Sequence, residues 1–180
     1  MQVMLRPPKV EDAEGLAQAA QDLATEYAEV EPERFHVPDL VQTVDWLRDA
    51  IRKPLPEGSV WLVAELDGKA IGDAKALLHE PMSNAEIQPQ LDVGRRRVYL
   101  AWLAVQSEHR SQGIGGRLLR EVEAWACEQG AELITTDTTL RSNLGAVEFY
   151  ERKGYERQAV IHDHPVGYTS VFLAKRLTAA

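Results

Sequence analysis

The chain has 180 residues, 44% of them hydrophobic, a size and composition suited to one domain with a continuous core. Lysine and arginine number 20 against 28 aspartate and glutamate, and the net charge of −8 argues against partners such as nucleic acid or an anionic membrane. A single cysteine, Cys127, excludes an intramolecular disulfide framework and a Cys-rich metal site; with no signal peptide and no apolar run of the ~20 residues that span a bilayer, the expected location is cytoplasmic.

Val3 to Arg6 predicts a short strand cut by Pro7-Pro8. From Val10, apolar residues recur at helical spacing (Ala13, Leu16, Ala17, Ala20, Leu23, Ala24, Tyr27) and predict a first helix. Glu31 to Pro38 reads as a loop, and Leu40, Val41, Val44, Leu47 and Ile51 predict a second helix that stops before Pro54. Residues 10–57 hold twelve acids and four bases, so this stretch carries the whole charge excess, while the remainder is balanced at sixteen of each sign. Such a bias is either a solvated helix face or a field that draws in a cation.

Val60 to Leu66 and Lys69 to His79 predict an antiparallel pair, joined by Asp67-Gly68, a dipeptide suited to the positive φ of a tight hairpin. Residues 80–94 read as a long loop, and Val98 to Val105 as an apolar strand buried on both faces. Helical spacing returns at Ile114, Leu118, Val122, Trp125 and Ala126, and Gly130 ends it. Leu133 to Thr136 predicts a strand, Asn143 to Arg152 a short helix closed by Gly154, and two strands follow near Tyr155 to Ile161 and Tyr168 to Ala174. The order is β-α-α-β-β-β-α-β-α-β-β, and with no repeat, linker or low-complexity segment the expectation is one domain over residues 1–180.

The chemistry concentrates after the apolar strand, in Val105-Gln106-Ser107-Glu108-His109-Arg110-Ser111-Gln112-Gly113-Ile114-Gly115-Gly116-Arg117. A turn with three glycines runs straight into a helix. Glycine lets main chain come close to a ligand, and a helix start offers unpaired N–H groups with a positive partial charge, so the segment suits a pyrophosphate. The Rossmann pattern fails for want of its third glycine, and the P-loop pattern fails because no Gly-Lys-Ser/Thr follows.

Arg110-Ser111-Gln112-Gly113-Ile114-Gly115 resembles the Arg/Gln-x-x-Gly-x-Gly/Ala coenzyme A signature of the GNAT acetyltransferases. Downstream, Asn143-Leu144-Gly145-Ala146-Val147-Glu148-Phe149-Tyr150-Glu151-Arg152-Lys153-Gly154-Tyr155 is similar to a second segment of that family, in the right order and at the right spacing. The resemblance covers residues 98–160 closely, with Leu5-Arg6-Pro7 to Ala13 similar to the family's usual start. It implies an α/β (α+β) acyl-CoA acyltransferase fold: a central mixed, mostly antiparallel sheet, split by a V-shaped opening and flanked by about four helices. It also implies that acetyl-CoA is the acyl donor, with no metal, and that a primary amine attacks the thioester directly.

Carried over residue by residue, main chain at Leu103, Ala104 and Val105 would hold pantetheine and the acetyl carbonyl. Main chain at Gln112, Gly113, Ile114, Gly115, Gly116 and Arg117 would hold the pyrophosphate, with Arg110 and Ser111 part of the same coenzyme A-binding segment. Tyr150 would lie at the sulfur and act as general acid, its other reading being a core aromatic. Asn143 would be a helix cap, a ligand contact, or both. The match weakens at the general base, because the position that carries Glu in some members is Tyr99 and no carboxylate lies between Val98 and Val105. Asp137, Glu26, Glu29, His79 and Glu80 stay as candidates, although Asp137 reads first as a strand-end turn residue.

Four further features have readings of their own. His162-Asp163-His164-Pro165 predicts a turn rather than a metal site, since no third His or Cys lies nearby. His109 should pack at the edge of the phosphate turn. Arg95-Arg96-Arg97 reads as a solvated strand entry, and Trp102, Trp125 and Cys127 read as core. A cationic amine or basic peptide is the expected acceptor; a homodimer stays open, and so does an acyl-CoA-binding module without turnover.

Overall fold

A computed structural model describes residues 3–79, 96–162 and 169–177. Strands β1 (Met4–Arg6), β2 (Ser59–Leu66), β3 (Lys69–His79), β4 (Arg97–Val105), β5 (Leu133–Thr139), β6 (Glu156–His162) and β7 (Thr169–Arg176) form one mixed sheet in the order β1-β2-β3-β4-β5-β7-β6. Four helices accompany it: α1 (Ala13–Val30), α2 (Leu40–Arg52), α3 (Ile114–Glu128) and α4 (Leu144–Arg152). Contacts divide the chain into two compact units, Met1–Ala76 with Trp102–Val122 and Leu77–Ala101 with Glu123–Ala180.

In the first unit, α1 enters through a short 3-10 turn at Val10–Asp12. Arg6 reaches both carboxylate oxygens of Asp12 at 2.7 Å, the Lys9 N–H donates to the same carboxylate at 2.6 Å, and Arg6 also pairs with Glu65. Burial pushes the Asp12 carboxyl up, but these contacts outweigh it and hold Asp12 below the usual carboxylate range. The buried face of α1 is small, with Ala13, Leu16, Ala17 and Ala19, and it packs with Val44 and Leu47 of α2 around Trp61 and Val63. Close approach is enforced at Gly15, where a Cβ would fall 2.1 Å from the Ala70 carbonyl oxygen. Helix α2 starts where Asp39 accepts from the Gln42 N–H at 2.9 Å. The β2–β3 hairpin turns on Asp67 (φ 49°) and Gly68 (φ 80°), as the dipeptide predicts.

In the second unit, β5 pairs with β7 along its whole length, from Leu133↔Arg176 to Thr139↔Ser170, and β6 pairs with β7 across an irregularity between Arg157 and Ala159. Strand β4 runs parallel to β5 only at Arg97↔Leu133, Val98↔Ile134 and Tyr99↔Thr135. Beyond that register the next link is a side chain, the Thr136 hydroxyl donating to the Leu100 carbonyl at 3.0 Å. Gly130 (φ 72°) closes α3, with the Ala131 N–H on the Ala126 carbonyl in the manner of a Schellman cap.

The sequence order of elements is the observed one, with three differences of burial. Strand β4 is buried toward its ends, but Ala101 is exposed and Trp102 and Leu103 are half-buried, because this stretch lies past the end of the ladder with β5. Arg97 is buried rather than solvated, since the strand begins with it and pairs it with Leu133. Trp102, Trp125 and Cys127 are half-buried rather than core. The expected loop at 80–94, with Glu80 and Arg95, lies outside the described residues, and so do Asp163, His164 and Pro165.

Candidate functional site

The turn after β4 is built by fixed contacts at its base and left-handed backbone at its tip. Gln106 anchors the base: its backbone N–H donates to the Ile71 carbonyl at 2.9 Å, and its side-chain amide reaches the carbonyls of Gly15 at 2.8 Å and Ala70 at 3.2 Å. The Asp22 carboxylate of α1 accepts the Ser107 N–H at 2.7 Å. Arg110 pairs with Glu26 of α1 and donates through Nε to the Val105 carbonyl at 2.8 Å. Its guanidinium is therefore a brace between α1 and the turn. His109 lies at the turn with Nε2 3.3 Å from Glu108 Oε1, and Arg117 reaches back to the Val3 carbonyl at 2.9 Å.

At the tip, Ser111 (φ 60°) and Gly113 (φ 80°) both occupy the left-handed region. Alternation of such residues turns successive N–H groups into one concavity, a form suited to anions. The first intrahelical bond of α3 is the Arg117 N–H to the Gly113 carbonyl at 3.0 Å, so the N–H groups of Gly113, Ile114, Gly115 and Gly116 precede the helical ladder. A Cβ at Gly113 would meet no protein atom within 4 Å. The protein's own packing leaves that space open, and the residues present fit a pyrophosphate held by main chain.

Gly72 of β3 sets the approach to the strand that precedes the turn. A Cβ there would come within 2.6 Å of the Ala104 carbonyl oxygen and 3.0 Å of the Val105 Cα. Ala104 and Val105 are buried, whereas Leu103 is half-buried.

Within the second unit, Tyr150 is 6% exposed on α4, with ring contacts to Phe149 and Tyr155 at centroid distances of 5.2 and 5.4 Å. Tyr155 donates to Glu123 at 3.1 Å, and Lys175 Nζ lies 2.8 Å from the other oxygen of Glu123. Asn143 occupies the N-cap of α4, where its carbonyl accepts the Ala146 N–H at 3.1 Å. Its side chain does not cap the helix; Nδ2 donates to the Thr138 hydroxyl of β5 at 3.0 Å. Tyr99 of β4 donates to Asp137 Oδ1 of β5 at 2.5 Å, and His79 of β3 stands edge-on to the Tyr99 ring.

A model of the acetyltransferase (GNAT) family matches residues 17–155. The chain belongs to this family. Among curated GNAT relatives, a probable N-acetyltransferase family 8 member 5 from Mus musculus is 33% identical over 100 residues, 56% of this chain and 39% of that protein, so the chain spans well under half of its length. Among solved structures, a putative GNAT acetyltransferase from Desulfovibrio desulfuricans superimposes with a TM-score of 0.72 at 19% identity, covering 98% of this chain and all of the other. The PaiA N-acetyltransferase from Thermoplasma acidophilum, solved with coenzyme A, gives 0.65 at 17% identity over 98% and 99% of the two chains.

The GNAT fold also holds a cluster that sequence reasoning missed. Asp73, 2% exposed on β3, accepts the indole N–H groups of Trp61 and Trp102 at 2.8 Å each, with Lys75 Nζ 3.9 Å away. The Lys75 ammonium lies 3.8 Å from the Trp61 ring centroid and 5.5 Å from that of Trp46. Burial pushes the Asp73 carboxyl up against the pull of Lys75 and the two indoles, and pushes the Lys75 amine down. The available signal was an aspartate beside a glycine inside an otherwise apolar strand, Gly72-Asp73. Among the described residues no group of three or more His, Cys, Asp or Glu could hold a metal, and no helix is long and apolar enough to cross a membrane.

Proposed function

We propose that this GNAT protein is an acetyl-CoA-dependent N-acetyltransferase acting on a primary amine in the cytoplasm, and that the acceptor is cationic. The observation that carries the reading is the left-handed tip at Ser111 and Gly113, opening into the N–H groups that precede the helical ladder of α3. Main chain from Gln112 to Arg117 holds the pyrophosphate, and main chain at Leu103, Ala104 and Val105 holds pantetheine. Bound acetyl-CoA supplies the acetyl group as a thioester open to attack. A main-chain N–H near Val105 steadies the negative charge that develops on the acetyl oxygen, Asn143 touches the ligand, and Tyr150 gives its phenolic proton to the departing sulfur.

The acidic stretch supports a cationic acceptor through only some of its members. Asp12, Asp22, Glu26, Glu31 and Asp39 hold Arg6, Ser107, Arg110, Arg34 and Gln42, and Glu14, Asp45 and Asp49 pair with Arg48 or Arg52. Glu29 and Glu33 are exposed and have no such contact among the described residues. With Glu11 and Glu57, also exposed and outside these contacts among the described residues, they are the acids left to face an incoming cation.

The test is coenzyme A release from acetyl-CoA with spermidine, kanamycin and a basic peptide as acceptors. Tyr150→Phe should lower kcat by about 10- to 1,000-fold with acetyl-CoA affinity nearly unchanged. For the best acceptor, kcat/KM should fall with added salt and with Glu29→Gln plus Glu33→Gln. Binding of acetyl-CoA without release by any amine would replace the enzyme by an acyl-CoA-binding module.

A further inference from the structure

The family reading leaves the amine's proton without a destination, because β4 carries no carboxylate. The fold supplies one from the neighbouring strand. Tyr99 and Thr135 are the last paired residues of the β4–β5 ladder, and Asp137 lies two residues further along β5, on the same face as Thr135. From there its carboxylate meets the Tyr99 hydroxyl diagonally, and the phenol donates to Oδ1 at 2.5 Å. The contact sits where the two strands stop pairing. By strand alternation the Tyr99 side chain projects on the same face of β4 as Ala101, the exposed residue of that strand.

The surroundings suit proton transfer. His79 stands edge-on to Tyr99 at a ring-centroid distance of 5.8 Å, and its Nε2 is buried without a hydrogen-bond partner among the described residues, as is Nε of Arg97. Burial and then the charge of Arg97 push the His79 imidazole down, so it is neutral and adds no cation to repel an ammonium. Burial first, then the hydrogen bond and charge of Asp137, then Tyr150, push the Tyr99 phenol well above its ordinary value. Tyr99 therefore rests protonated, its hydrogen on Asp137 and its oxygen lone pairs free to accept. Among the described residues His79, Asp137 and Tyr150 are the titratable groups that act on it or stand against it, and Arg97 acts on His79.

We propose, resting on the acetyltransferase reading, that Tyr99 and Asp137 form the proton relay that readies the acceptor. Tyr99 Oη takes a proton from the ammonium as its own proton passes to Asp137 Oδ1. One N–H bond and the phenolic O–H bond break, a new phenolic O–H and a carboxylic O–H form, and the nitrogen keeps the electron pair with which it attacks the thioester carbonyl. Asp137 ends as a neutral acid and returns its proton to water once the product leaves. Tyr99 touches the amine; Asp137 acts through it. The carboxylate that some family members carry on β4 is thus replaced by a β4 phenol loaded by β5.

The experiment is the pH dependence of kcat/KM for wild type, Asp137→Asn and Tyr99→Phe, with spermidine, kanamycin and a basic peptide. Acetyl-CoA affinity and melting temperature serve as controls. Both variants should lose about 10- to 1,000-fold at pH 7. The loss should shrink as pH rises toward about 10, where a growing fraction of the amine is already unprotonated in solution and needs no base. Equal losses at every pH, or no loss in either variant with affinity and folding intact, would overturn the relay while leaving the acetyltransferase standing. Absence of turnover by wild type with every amine would overturn the acetyltransferase reading itself, and the relay with it.

Discussion

Gly113 shows how much of the candidate site can be argued from one backbone angle. At φ 80° a side chain is strained whatever space surrounds it, by roughly 1–2 kcal/mol and more when β-branched. Because a Cβ there meets no protein atom, a Gly113→Val protein that still folds should lose acetyl-CoA binding through the ligand's side of the contact. Calorimetry should read a loss of at least about 10-fold, roughly 1.4 kcal/mol; unchanged affinity in the folded variant would remove the phosphate role from this turn. Residues of this kind were legible in the sequence because their signal is local: Gly113 follows an apolar strand and precedes a helix. Gly72, Asp73, Gln106 and the Tyr99–Asp137 contact were not, because each depends on a partner between 12 and 91 positions away. A lone Gly-Asp in a strand or a Tyr where a Glu was expected says that something is there, without saying what it meets.

At the scale of elements, the 3.6- and 2-residue periods placed each described helix and strand to within a few residues, and the Asp67-Gly68 hairpin landed on its residue pair. Burial was harder to read, since period alone does not tell where a ladder stops. Strand β4 looks continuous in sequence, yet Ala101 is exposed because pairing with β5 ends at Tyr99. The start of α1 carries its own prediction. Asp12 is held below its ordinary pKa by Arg6 and the Lys9 N–H against the opposing effect of burial, so its contribution is present above the unfolded-state value near 3.9 and is lost as pH falls through the lower folded value. Asp12→Asn should destabilise at pH 7 by about 2 kcal/mol, and the penalty should narrow below about pH 4, where wild type protonates as well. Melting temperatures of both proteins from pH 7 down to pH 3 check it; a constant gap would mean that the pair adds packing rather than charge.

At the scale of the molecule, each compact unit is assembled from two segments distant in sequence, with crossings at Leu77, Trp102 and Glu123. No single cut frees either unit, and the expected behaviour is one cooperative transition, the 1–180 domain read from the sequence. Calorimetric and van't Hoff enthalpies should then agree; a ratio clearly above one would show two separate transitions. The distribution of aromatic residues gives each unit its own optical signal. Trp61 and Trp102 share the Asp73 carboxylate and Trp46 stands beside Lys75, so three of the four tryptophans lie in the first unit. The second holds Trp125 and four of the five tyrosines. Indole emission excited at the red edge therefore reports chiefly the surroundings of Asp73, and phenol absorbance chiefly the other unit, so the protein carries two intrinsic dyes that follow its halves without a label.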